Sequence, residues 1–210
     1  MHVLVLCDDR WHPGDIVRNG LEPLQNSKVE FDFIFDASEF NVEKLRNYPI
    51  IIFSKSNNIS STNADTWVTT DVENKLTKYV KDGGGLLVIH SGTAGYKETV
   101  KFSKLIGGVF DHHPKQCDVI VEPIKNNPII DQNIKFTIFD EHYFMNMKDE
   151  NANIFMNTIS KNGKQPGGWT RAVGEGRICV ITPGHNLEVW LNEHFQSILK
   201  NCLSWCAKER

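Results

Sequence analysis

The stretch "GGGLLVIHSG", Gly83 to Gly92, decides how this chain folds. Leu86, Leu87, Val88 and Ile89 form an unbroken apolar run bounded by glycines, the pattern of a strand covered on both faces. The preceding "TTDVENKLTKYVKD" carries Val72, Leu76, Tyr79 and Val80 at helical spacing. Thr70 or Asp71 is placed to cap that helix, and the glycines end it. Helix followed by buried strand is the unit of a parallel sheet. What does not fit a plain core strand is its end, where His90 and Ser91 precede a tight, small-residue turn, "SGTAG".

Working outward, the same alternation continues. "HVLVLC" (His2–Cys7), "VEFDFIFD" (Val29–Asp36) and "PIIIFSK" (Pro49–Lys55) read as three further strands, and Ile16 to Leu24 as the first helix. After Gly107 the pattern changes. "CDVIVEPI", "IKFTIFDEHYF", "ANIFMNTIS", "GGWTRAV" and "GRICVITPG" read as five strand-length runs, with Gly174 to Gly176 as a hairpin turn. "NEHFQSILKNCLSWCAKE" closes the chain as a helix with Phe195, Ile198, Leu199, Cys202 and Cys206 on one face. The expected architecture is one α/β domain over residues 1–210, parallel in its first half with antiparallel extensions in its second.

Composition narrows the partners. The 210 residues suffice to bury a core without disulfides. A formal charge of −3 and scattered basic residues give no reason to expect nucleic acid. No apolar run approaches the roughly 20 residues that span a bilayer, so no membrane partner is expected. Five cysteines, odd in number and without a CxxC motif, argue against a disulfide framework. With strand-like sequence starting at His2, a cytoplasmic location is expected.

In open parallel sheets ligands bind beyond the carboxyl ends of the strands. The residues there are Cys7-Asp8-Asp9, Ser54, His90-Ser91 and Thr182-Pro183-Gly184-His185. His90 and His185 are therefore candidates for proton transfer or metal ligation. Alternatively, His90 bonds a backbone carbonyl and Ser91 caps the next helix. His12 and His112 taken singly read equally well as exposed loop residues. Asp140 and Glu141 interrupt an aromatic run, and buried carboxylates need a partner such as Arg171 or a wet cavity. A surface hairpin is the other reading. Trp169 offers a stacking face and Arg171 a planar fork, though Trp169 as core and Arg171 as a surface cross-strand residue fit as well.

Taken together, "RWH", "GGGLLVIHSG", "LIGGVFDHHP", "FDEHYF" and "WTRAVGEGRICVITPGH" resemble the trehalose-utilisation (ThuA-like) family, a branch of the class I glutamine amidotransferase-like superfamily. The resemblance runs from Val3 to the C-terminal helix. It implies a flavodoxin-like, three-layer sandwich and adds His12, His113, Asp140, Glu141, Trp169, Arg171 and His185 to the site. His113 is favoured over His112, and His142 departs from the family pattern. His90 takes the place of the amidotransferase elbow cysteine, and His185, followed by Glu188, falls where the catalytic histidine lies. An imidazole cannot form a glutamyl thioester, so glutaminase activity is not expected.

The resemblance implies sugar metabolism and a small carbohydrate ligand. The first reading is acid–base chemistry on a sugar or keto-sugar. His90 or His185 acts as base, Glu141 or Asp140 orients or supplies acid, and His12, Ser91, His113, Trp169 and Arg171 hold the ligand. A variant adds a divalent metal such as zinc on some of His90, His113, His185 and Glu141, making a metal-dependent hydrolase or isomerase. No H-x-x-x-H spacing supports that variant. The second reading is a non-catalytic binding or assembly module, and a homodimer is the expected assembly.

Overall fold

The computed structural model describes residues 1–124, 127, 129–131 and 133–209. Strands β1 (His2–Leu6), β2 (Glu30–Ile34), β3 (Ile50–Phe53) and β4 (Gly85–Ile89) alternate with helices α1 (Gly14–Leu21) and α2 (Thr70–Lys81). A further helix, α3 (Val100–Ile106), precedes β5 (Gly108–His112), β6 (Cys117–Pro123), β7 (Phe136–Asp140) and β8 (Phe144–Met147). The chain finishes with β9 (Asn153–Ser160), β10 (Gly163–Val173), β11 (Gly176–Ile181), the short α4 (Leu187–Trp190) and α5 (Glu193–Cys206).

Among the described residues nine strands form one sheet in the order β2-β1-β3-β4-β11-β10-β9-β6-β7. The first five are mutually parallel, and every pairing from β11 to β7 is antiparallel. This is the expected α/β sandwich with antiparallel extensions. Pleating explains its two cores. Val3, Val5, Ile50, Ile52, Leu87, Ile89, Cys179 and Ile181 face one side, where α1 and α5 bring Val17, Leu21, Phe195, Ile198, Leu199 and Cys202. Leu4, Leu6, Ile51, Phe53, Leu86, Val88, Ile178 and Val180 face the other, under Leu76, Val80, Phe102 and Ile106. Helices on both faces are why these strands are apolar at every position. Among the described residues no helix is long and apolar enough to cross a membrane.

Four local differences from the sequence reading have physical causes. The first helix stops at Leu21 and a 3-10 turn carries Glu22–Leu24, because Pro23 has no N–H to continue the ladder. Thr69, rather than Thr70 or Asp71, caps α2, its hydroxyl accepting from the Val72 N–H at 3.3 Å. The strand in "IKFTIFDEHYF" ends at Asp140 as β7, Glu141–Tyr143 lie outside any strand, and β8 begins only at Phe144, the last residue of the run. Finally, β5 was hidden behind Gly107, and it pairs with β8 in a separate two-stranded sheet.

The turn after β4 answers the question its sequence raises. His90 has φ +45°, a left-handed conformation uncommon for a residue with a Cβ. The chain turns so tightly that a Cβ on Gly92 would lie 2.1 Å from the Phe53 carbonyl oxygen. This is an elbow, and it aims an imidazole where the sheet's carboxyl ends meet.

Candidate functional site

Five segments converge there, from the ends of β1, β4, β7 and β11 and from the loop after β5. One ligating atom from each of His12, His90, Glu141 and His185 lies within 4.8 Å of the others. Glu141 is the centre. Its Oε2 is 3.2 Å from His185 Nδ1, 3.4 Å from His90 Nε2 and 3.9 Å from His12 Nε2. Its Oε1 lies 3.5 Å from His113 Nε2.

Each ring is held from behind. Asp9 accepts from His12 Nδ1 at 2.7 Å and also receives the N–H groups of Trp11, His12 and Ser56. The Thr182 carbonyl accepts from His90 Nδ1 at 2.7 Å, and the Pro114 carbonyl from His113 Nδ1 at 2.8 Å. These acceptors fix the proton on Nδ1 and turn Nε2 toward Glu141. Asp140, wholly buried, accepts from the backbone N–H groups of Glu141, Gly184 and His185 at 2.8–3.1 Å. It locks the β11 loop against β7. Tyr143 stacks on His90 with ring centroids 4.0 Å apart.

The charges follow from these contacts. Burial opposes a charged His12, but the Asp9 hydrogen bond and Glu141 outweigh it and push its pKa up to about 9. Asp9 is held down to about 2, since His12 and the backbone N–H groups more than offset its burial. Burial lowers His90 and raises Asp140. Glu141 would also be raised by burial, yet the imidazoles of His12, His185 and His90 keep it well below the ordinary carboxylate range.

Above the cluster opens a cleft of about 820 Å³ lined by Trp11, His12, Asn57, Phe110, His113, Glu141, Tyr143 and His185, with Arg10 at its edge. Aromatic faces and amides surround its polar floor.

Of the sequence-derived site, the structure thus gathers His12, His90, His113, Asp140, Glu141 and His185. Three assignments need correction. Trp169 is fully buried in the core, its indole N–H given to the Ile106 carbonyl at 2.7 Å, so it cannot stack a ligand. Arg171 pairs with Asp149 at 2.6 Å and donates to the carbonyls of Lys104 and Leu105, tying β10 to α3. Ser91 is entirely buried below the elbow and does not reach the cleft. Asp140 is a positioning residue. His142 points away, bonding Ser160 and the Thr158 carbonyl, and Glu188 is exposed on α4.

Sequence reasoning placed Asp9 at a strand end without giving it a role, and passed over Trp11 and Tyr143. Two signals were there. Asp9 stands three residues before His12, and Glu141 and Tyr143 are two apart, so an extended backbone puts them on one side and His142 on the other.

A family model described as ThuA, trehalose utilisation, matches residues 7–206. The chain belongs to the ThuA family. Among solved structures it is similar to a protein described as ThuA-like from Parabacteroides merdae, with TM-score 0.81 and 16% identity over 100% of this chain and 91% of the other. A cytoplasmic protein from Salmonella typhimurium aligns with TM-score 0.71 and 18% identity, covering 98% and 99%. A β-galactosidase from Rahnella sp. gives TM-score 0.67 at 12% identity, over 98% of this chain but 31% of that one. At such identities the likeness is of fold, and ThuA membership carries a trehalose-utilisation-related role at the level of the family. No curated relative matches the chain.

Proposed function

We propose that this ThuA protein binds a sugar-derived carbonyl compound in the cleft and transfers a proton at the carbon beside the carbonyl. One observation carries the reading: His12, His90, Glu141 and His185 converge within 4.8 Å at the floor of an otherwise aromatic and amide-lined cleft. A binding module needs no such concentration of desolvated titratable groups, and pairs with opposed pKa shifts mark acid–base sites.

The cleft separates roles. His90, 1% exposed, lies beneath the floor and supports it. His113 and the Glu141 Oε1 face the opening, 3.5 Å apart, and are the groups in reach of a ligand's C–H and carbonyl oxygen. His185 borders the same space. Trp11, 68% exposed at the rim, supplies the flat apolar face that Trp169 does not. Cysteine chemistry has no place here, because all five thiols are buried and none lines the cleft.

The test is solvent deuterium exchange, followed by NMR, into keto-hexoses and keto-disaccharides incubated with the protein. Exchange at the carbon beside the carbonyl is expected, falling about 10²–10⁴-fold in His113→Ala. Binding of these sugars without exchange would favour a non-catalytic module. No binding at all would remove the carbohydrate reading.

A further inference from the structure

The geometry points to a divalent metal centre at the floor of this cleft, a first-row ion such as Zn²⁺ held by His12 Nε2, His90 Nε2, His185 Nδ1 and Glu141 Oε2. It deepens the proposed function and rests on its reading of the cleft as the working site.

Distances come first. A charge-assisted hydrogen bond between imidazole and carboxylate spans about 2.7–2.9 Å, and His12 Nδ1 to Asp9 is such a bond at 2.7 Å. On the other side of the same ring, Nε2 stops 3.9 Å from Glu141. His185 and His90 stop at 3.2 and 3.4 Å. Four ligands at about 2.0–2.1 Å from a tetrahedral Zn²⁺ lie about 3.3 Å from one another. His185 and His90 thus already stand at that spacing from the Glu141 oxygen, and the whole set, within 4.8 Å, closes onto an ion by a small inward turn of the His12 ring and its neighbours.

Orphaned nitrogens come second. His90 Nε2 and His185 Nδ1 are buried and, among the described residues, have no hydrogen-bond partner. Buried polar atoms are rarely left so, and His90 is 1% exposed. With Nδ1 committed to the Thr182 carbonyl, His90 Nε2 presents a lone pair toward the Glu141 oxygen, which also carries only lone pairs. A cation bonded to both would satisfy this pair and the His185 Nδ1 at once.

The supporting residues complete the pattern. Ligating histidines characteristically give their second N–H to a carboxylate or carbonyl, which fixes the tautomer and raises basicity. Asp9 does so for His12 and Thr182 for His90, while the Asp140 carboxylate holds the backbone of both Glu141 and His185. His113, on the other Glu141 oxygen and 35% exposed, stays outside the set and free to meet a ligand. An ion here would face the cleft and, by expanding from four to five ligands, could polarise a bound carbonyl as a Lewis acid.

The experiment uses the full chain purified without an affinity tag, stripped with a chelator, and titrated with Zn²⁺ and with Co²⁺, no sugar present. One equivalent per chain is expected. The Co²⁺ form should show the intense visible bands of a four- or five-coordinate ion and hyperfine-shifted exchangeable N–H signals from His12, His90 and His185. His90→Ala and Glu141→Gln should weaken Zn²⁺ at least 100-fold, Asp9→Asn about 10–100-fold, and His112→Ala, an exposed control, not at all. Substoichiometric uptake, or uptake unchanged in His90→Ala and Glu141→Gln, overturns the site. Should those variants not fold, the Co²⁺ spectra of the unaltered chain decide. Because uptake is read without sugar, its failure leaves keto-sugar exchange to stand, and failed exchange leaves the metal site.

Discussion

Asp9 and His12 are joined twice: the carboxylate accepts both the Nδ1 proton and the backbone N–H of the histidine three residues on. The same side chain also takes the Ser56 N–H from the loop after β3. One buried carboxylate therefore fixes the loop after β1, the tautomer of a site imidazole and one wall of the cleft. Replacing it with Ala leaves the Trp11 and Ser56 N–H groups and a ring nitrogen without their acceptor, while the His12 N–H keeps the Asp9 carbonyl. Loss of such a buried acceptor costs about 3–5 kcal/mol, so Asp9→Ala should lower the urea midpoint markedly. Asp9→Asn, which keeps an acceptor oxygen, should lose less than half as much.

The two tryptophans make opposite predictions. Trp169 fills the core between β10 and α3, and Trp169→Ala should cost about 3–5 kcal/mol by creating a cavity. Trp11 is exposed beside the cleft and bears no core contact among those of the two hydrophobic clusters. Trp11→Ala should leave thermal stability within about 0.5 kcal/mol of the parent and weaken sugar binding about tenfold. Calorimetry with one keto-sugar and one melting curve per variant separates the two roles. Weakened stability with unchanged affinity in Trp11→Ala would exclude it as a binding face.

The sheet was legible because its strands obey a local rule. Leu86–Ile89 and Ile50–Phe53 are apolar throughout, which only two-sided burial explains. His90, His185 and Glu141 were legible for a related reason, as polar residues standing at the ends of apolar runs. Trp169 and Arg171 misled for the converse reason. Aromatic and guanidinium groups suit a binding site and a core seam alike, and only the α3 carbonyls of Lys104, Leu105 and Ile106, distant in sequence, decide between them. No local pattern announces such partners. The metal-like spacing was hidden too, since its four residues are spread from position 12 to 185 and no helix repeat brings any two together.

The cysteines give a chemical test of the site's character. Burial, with the Asp8 charge adding to it, pushes the Cys7 thiol up to about 12, and burial alone dominates in raising Cys179 and Cys206. A thiol is nucleophilic only as thiolate. With all five thiols also buried from the reagent, iodoacetamide at pH 7.5 should leave the native chain unlabelled over an hour and add five carbamidomethyl groups after denaturation, as read by intact mass. A single rapidly labelled cysteine in the native chain would reopen thiol chemistry in the cleft.

The elbow offers the sharpest structural test. Gly92 packs so close to β3 that a methyl group would meet the Phe53 carbonyl oxygen at 2.1 Å and its carbon at 2.8 Å, both backbone atoms with no room to yield. Gly92→Ala must push the turn outward, and His90, two residues back at φ +45°, moves with it. Overpacking of this kind costs about 2–3 kcal/mol. A displaced His90 loses either the Thr182 carbonyl at Nδ1 or its place beside Glu141, so proton transfer should fall further than stability does. Thermal melts and deuterium exchange on Gly92→Ala, compared at a temperature where the variant is fully folded, check this. Full exchange activity in a folded Gly92→Ala would show that the elbow does not set the position of His90.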